Sequence, residues 1–142
     1  MKRLLFLVSL LIVSLPASAQ VYDVCALVIP GYSIINQAAI GSVKIIPGKA
    51  GAFTYICSLN LITGAQSIAL IEGTGTNCAT NTVGMNGGAT AVTGWTFTAT
   101  NPQIILTNGG NWLIKTATAG DDVCLIQSAA TQASGGTRYV QQ

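Results

Sequence analysis

Four cysteines, Cys25, Cys57, Cys78 and Cys124, carry the most specific chemistry in this chain of 142 residues. No two of them are close in sequence, and the chain contains no histidine. Zinc and related ions are usually held by Cys and His at short, repeated spacings. Neither a metal site nor any other cofactor is therefore expected. An even count of well-separated cysteines reads instead as two disulfides. Three pairings are open, and Cys25–Cys57 with Cys78–Cys124 is the one we favour.

The same inventory argues against catalysis. Proton transfer at a reacting group wants a positioned histidine or carboxylate, and the only acids are Asp23, Glu72, Asp121 and Asp122. Glycoside hydrolysis needs two carboxylates flanking one bond. Glu72 precedes a Gly-rich stretch, and Asp121-Asp122 follows Ala119-Gly120, so both read as solvated turn carboxylates. Asp121-Asp122 lacks the ligand spacing of a calcium loop. No serine stands in a G-x-S-x-G setting or has a histidine to activate it. The stretch Gly73-Thr74-Gly75-Thr76-Asn77-Cys78 lacks the third glycine of a dinucleotide loop and the Gly-Lys-Ser/Thr of a nucleotide-binding loop. It reads as a bulged hairpin end held by Cys78. No catalytic, cofactor-binding or metal-binding residue is expected.

What remains is contact chemistry. Trp95, Phe97 and Trp112 fall at strand positions and read as core. Trp112 also follows Asn108-Gly109-Gly110-Asn111, and at an exposed loop it would stack on a sugar ring or anchor a protein contact. Asn77, Asn108, Asn111 and Trp112 are the candidate contact surface, with Asn86–Gly88 as a further loop.

The elements that must position these residues read as strands. Thr, Val, Ile, Asn and Gly are plentiful, and strong helix formers other than Ala are scarce. Turn residues recur roughly every 8 to 12 positions, the spacing of a sandwich or barrel. Period-two alternation predicts that Phe53, Tyr55, Cys57, Leu59 and Leu61 share one face, opposite Thr54, Ser58 and Asn60. Trp95, Phe97 and Ala99 alternate with threonines in the same way. Further strands are predicted at Val24–Ile29, Val43–Ile46, Ser67–Glu72, Gln103–Thr107, Trp112–Thr116, Val123–Ser128 and Thr137–Gln141, and one short helix at Ile34–Ile40. The expected fold is an all-β two-sheet sandwich, jelly-roll-like or Greek-key, stapled by two disulfides.

Lys2 and Arg3, the apolar run Leu4–Leu15 and the small residues Ala17-Ser18-Ala19 have the order of a secretory signal peptide. A spanning helix needs about 20 apolar residues, so residues 1–19 are expected to be cleaved, leaving 20–142 as a single domain with no membrane span. The formal charge of +2 belongs to Lys2 and Arg3. The remaining four cations and four carboxylates balance. A neutral chain has no electrostatic footprint for phosphates, so nucleic acid is not an expected partner, and near-zero charge favours association.

Four blocks together carry a resemblance: Tyr55-Ile56-Cys57-Ser58-Leu59, Glu72-Gly73-Thr74-Gly75-Thr76-Asn77-Cys78, Val123-Cys124-Leu125-Ile126 and the closing Tyr139-Val140-Gln141-Gln142. They resemble a group of small phage virion proteins that often carry a Y-V-C-S strand, a Y-G-T-G-T-N-C hairpin and an A-L-C-V strand. Residues 52–142 are covered, Gly73–Cys78 most specifically, and Glu72 stands where that group usually has an aromatic. The resemblance implies a β-sandwich displayed on a particle as a decoration or minor structural protein, without enzymatic activity. The expectation is an exported structural protein (periplasmic, extracellular or on a particle surface) that associates with itself or with a larger protein assembly. The alternative is a secreted binding module, an adhesin or carbohydrate-binding domain, with a glycan as partner.

Overall fold

Short β-branched segments between turn residues bury one face each, and two such sheets are needed to close a core. The computed structural model describes residues 23–142 in those terms; the expected signal peptide lies outside them. A single helical turn, α1 (Val24–Leu27), precedes ten strands: β1 (Gly31–Gln37), β2 (Gly41–Ile46), β3 (Thr54–Thr63), β4 (Gln66–Thr74), β5 (Thr80–Gly84), β6 (Trp95–Phe97), β7 (Gln103–Thr107), β8 (Ile114–Lys115), β9 (Asp122–Gln127) and β10 (Ala133–Gln141).

The strands form two antiparallel sheets. Sheet A has the order β1-β10-β3-β7, with β8 continuing the β7 edge along β3. Sheet B has the order β2-β9-β4-β5, with β6 on the same edge of β4. The pairings nest like a folded ribbon: β1 with β10, β2 with β9, β3 with β7 and β8, β4 with β5 and β6. Rolling that ribbon brings β10 also against β3 and β9 against β4. The sandwich is a jelly roll, and both disulfides are formed, Cys25–Cys57 and Cys78–Cys124. Formed bridges belong to an oxidising compartment. Among the described residues, no helix is long and apolar enough to cross a membrane.

Between the sheets lie Ile35, Ile56, Leu59 and Leu61 from sheet A and Ile46, Ile68, Leu70, Val123 and Leu125 from sheet B, each at most 1 % exposed. Burying one such side chain contributes about 1.5–3 kcal/mol. At one end, Gln66 and Gln127 replace apolar packing with hydrogen bonds. The Gln66 amide donates to the Thr131 carbonyl (3.0 Å), and that of Gln127 to the Ala39 carbonyl (2.7 Å).

Three expectations are corrected. Ile34–Ile40 is not helical: residues up to Gln37 are strand β1, with Ile35 and Gln37 inward and Tyr32, Ile34 and Asn36 outward. The adjacent β-branched isoleucines suit a pleated strand better than a helical turn. Conversely, Val24–Ile29 begins as a helical turn, because the Asp23 carboxylate accepts from the Cys25 amide at 3.1 Å and its carbonyl accepts from Ala26 and Leu27. Such an N-cap supplies acceptors that free amides would otherwise lack.

The third correction is to β3. Ser58 pairs with Arg138 and Ile56 with Tyr139, so Cys57 is an extra residue opposite none on β10. This β-bulge shifts the alternation by one. Thr54 and Ile56 face inward before it, Leu59 and Leu61 after it, and Tyr55, Cys57, Ser58 and Asn60 are turned away from the core. The single face predicted for Phe53 to Leu61 is thus split in two.

Candidate functional site

The outer faces of the two sheets differ. On sheet B, the 3-10 turn Thr76–Cys78 folds back over β2, β4 and β9, and Cys78 bonds Cys124 at the centre of the face. A second 3-10 turn, Ala91–Thr93, lies against β4. Ile71, Cys78 and Cys124 are buried beneath this roof. Asn77 belongs to it: its side-chain oxygen accepts from the Lys44 amide (3.1 Å), and its carbonyl accepts from the Ser42 hydroxyl (2.8 Å). A left-handed φ of 52° at Asn77 makes that geometry available, and asparagine tolerates it better than most residues.

Among the described residues, sheet A carries no such roof over its middle. Ile34, Gly136, Asn60 and Ile105 form one cross-strand row, Tyr32, Arg138, Ser58 and Thr107 the next, and Asn36, Ser134, Ile62 and Gln103 the row on the other side. Ile34 is 73 % exposed, Tyr32 64 %, Ile105 61 % and Ile62 47 %. Four large apolar side chains thus stand on one face. Ile34 and Ile105 are separated by three strand spacings, about 14 Å.

One end of this face is concave. Because the bulge turns both Cys57 and Ser58 outward, they border a pocket of about 320 Å³ with Cys25, Pro30, Thr107, Asn108, Gly109, Gly110 and Arg138. The Cys25–Cys57 bridge ties α1 to one wall. The opposite wall is a tight turn in which the Asn111 amide donates to the Asn108 carbonyl at 2.8 Å. Gly109 and Gly110 there have φ of 52° and 114°, values that side chains with a Cβ rarely adopt. The Asn108 amide donates to the Trp112 carbonyl at 3.3 Å, and the turn interrupts the sheet edge between β7 and β8.

Trp112 is not core, as its strand position predicted. At 38 % exposure it stands edge-on to Tyr55, with ring centroids 6.1 Å apart at 70°. The Lys115 ammonium lies 4.2 Å from the Phe53 ring centre and 5.7 Å from that of Tyr55, a cation over an aromatic face. Phe97 is buried, and Trp95 packs partly buried against the core. Asn108, Asn111 and Trp112 therefore share one turn, Asn108 lines the pocket, and Asn77 sits on the other sheet. Arg138 was missing from the expected site; a lone cation between Gly135-Gly136-Thr137 and Tyr139, far from any acid in sequence, was its signal.

Each of the four carboxylates has another setting. Asp122 is 2.6 Å from the Lys44 ammonium, the one ion pair among the described residues, and accepts from the Gly48 amide at 2.7 Å. Asp23 caps α1. Glu72 is not a solvated turn carboxylate: it lies in β4 at 1 % exposure, accepting from the Ala117 amide at 2.7 Å, with its second oxygen unpaired. Burial pushes its carboxyl above the usual value of 4.5, the Asp121 charge adds to this, and the Ala117 and Thr118 amides oppose it. Asp121 is also buried, at 7 % exposure. Among the described residues, no group of three or more potential metal-ligating side chains is present.

Comparison with protein-family models, with curated proteins and with solved structures finds no match for this chain.

Proposed function

We propose that this protein is an exported, non-catalytic structural sandwich that packs against copies of itself, or into a larger protein array, through the outer face of sheet A. The observation that carries this reading is the contrast between the faces: sheet B is covered by its own turns, whereas sheet A leaves Tyr32, Ile34, Ile62 and Ile105 in water. An apolar patch of this kind on a soluble protein marks a contact surface, and the neutral chain beyond the leader adds no repulsion between copies. The resemblance of Gly73–Cys78 and its flanking strands to phage virion proteins points the same way, towards display on a particle. Glu72 and Asp121, whose charges interact, are both buried, at 1 % and 7 % exposure. Edge-to-edge growth is disfavoured on the β7/β8 and β5/β6 sides, because broken strands offer short templates.

Light scattering across a concentration series tests the proposal. The protein is expected to elute as an oligomer or in particles, and the double variant Ile34→Asp, Ile105→Asp as a folded monomer. A wild-type protein that stays monomeric at high concentration would sink the structural reading.

The pocket beside Arg138 favours a second reading, a secreted module that binds a small ligand at one end of the same face. Its volume lies at the low end for ligand sites, the size of a single sugar residue rather than an extended chain.

A further inference from the structure

Resting on that second reading, we propose that the Arg138 pocket holds the carboxylate of a small polar ligand of sugar-residue size, a sugar acid being the source that its walls fit best.

The argument starts from an uncompensated cation. Arg138 is the only arginine after residue 3, and every acid of the chain lies within the described residues. None comes within 4.0 Å of its guanidinium: the sole ion pair among the described residues joins Lys44 to Asp122. No protein acceptor among the described residues takes a hydrogen bond from it either. A guanidinium presents five donors in a planar fork matched to a carboxylate. Arg138 is exposed and borders the cavity, and its neighbours across the sheet, Ser58 and Thr107, border it too.

The far wall adds donors of the same sense. Among the described residues, the Gly109 and Gly110 amides donate to no protein acceptor, and both belong to the turn that lines the pocket. Successive amides in a left-handed turn form a concavity suited to an anion. Asn108 and Ser58 offer an amide and a hydroxyl for a sugar's hydroxyl groups, while Pro30 and the Cys25–Cys57 bridge supply apolar surface. One group opposes an anion. A Cβ added at Gly110 would lie 2.8 Å from the Asp23 carboxylate, so Asp23 stands at the rim and weakens the site.

Amide chemical shifts of the 15N-labelled protein, titrated with glucuronate, glucose and N-acetylalanine, test the proposal. Glucuronate is expected to give saturating shifts at Gly109 and Gly110, with glucose giving none. Arg138→Gln should weaken binding about tenfold or more, the scale of one charge-assisted pair, with Arg138→Lys intermediate. Asp23→Asn keeps a competent N-cap and should tighten binding. Added salt should weaken it. Saturation by N-acetylalanine in place of glucuronate would support the carboxylate and assign its source to a peptide terminus. Equal binding of glucose and glucuronate, or an Arg138→Gln variant that binds as wild type, would overturn the carboxylate assignment while leaving a binding site. No saturation by any of the three would overturn the assignment and the second reading together.

Discussion

Replacing Cys78 and Cys124 together by alanine is expected to remove about 4 kcal/mol of stability, the loop-closure value for this spacing. The two residues are 46 positions apart, so the bridge removes many conformations from the unfolded chain. Most domains are stable by only about 5–15 kcal/mol, which makes this a large fraction of the total. Packing raises the cost further. Cys78 and Cys124 are at most 1 % exposed and touch Ile71 and Ile126, so truncation also opens space on the outer face of sheet B. The roof formed by Thr76–Cys78 would then be held chiefly by the Asn77 bonds to β2. The Cys25–Cys57 bridge closes a comparable loop of 32 positions, but both of its cysteines are half-exposed. A mild reductant is therefore expected to open Cys25–Cys57 first. Urea denaturation of the double variant, with peptide mapping after graded reduction, reads both effects. A midpoint near that of wild type, or prior loss of the Cys78–Cys124 bridge, would contradict this account.

Glu72→Gln is expected to gain stability relative to wild type as pH rises. The folded protein raises the Glu72 carboxyl above 4.5, first by burial and second through Asp121. At pH below 4.5, both folded and unfolded states hold the proton, and the carboxyl imposes no ionisation penalty. As pH climbs from there to the folded value, the unfolded chain releases its proton more readily, and the wild type loses stability. Above the folded value, the penalty is constant. Glutamine does not titrate, and its carbonyl can still accept from Ala117, so the variant escapes this decline. The size of the gap is set by how far folding raises the carboxyl, about 1.4 kcal/mol for each pKa unit. Thermal or urea unfolding from pH 4 to 8 measures it. A difference between the two proteins that stays flat over that range would refute the assignment of Glu72 as a strained buried acid.

Much of the fold was legible in the sequence, because alternation survives wherever a strand keeps one phase. Gln103–Thr107 forms the strand predicted for it, and the cysteines pair as favoured. Where phase breaks, reading fails. Nothing local marks Cys57 as a bulge; it arises because β10 skips one residue against β3, a fact of long-range pairing. Thr80–Gly84 is polar and has no apolar alternation, so it was not among the predicted strands although it is strand β5. Glu72 read as solvated because a Gly-rich stretch follows it, yet its place opposite Val123 puts it on the inner face. The candidate site follows the same rule. Asn108 and Trp112 were visible as a Gly-rich turn with an aromatic, whereas Arg138 joins them only through pairings between strands distant in sequence.

The nested ribbon places the last strand in the middle of a sheet. β10 lies between β1 and β3, and among the described residues it is the only strand paired with β1. A chain made from its N-terminus therefore holds β1 unpaired until Ala133–Gln141 has been delivered. Neither end of the ribbon can finish alone, and the long loop closure makes the final step slow. A copy cut short before Ala133 would keep two open strand edges and lack Ala133 and Val140, both buried in the folded sandwich. The architecture thus discriminates against chains cut short before Ala133: only a copy carrying Ala133–Gln141 presents a closed sheet A, and with it the outer face and the Arg138 pocket.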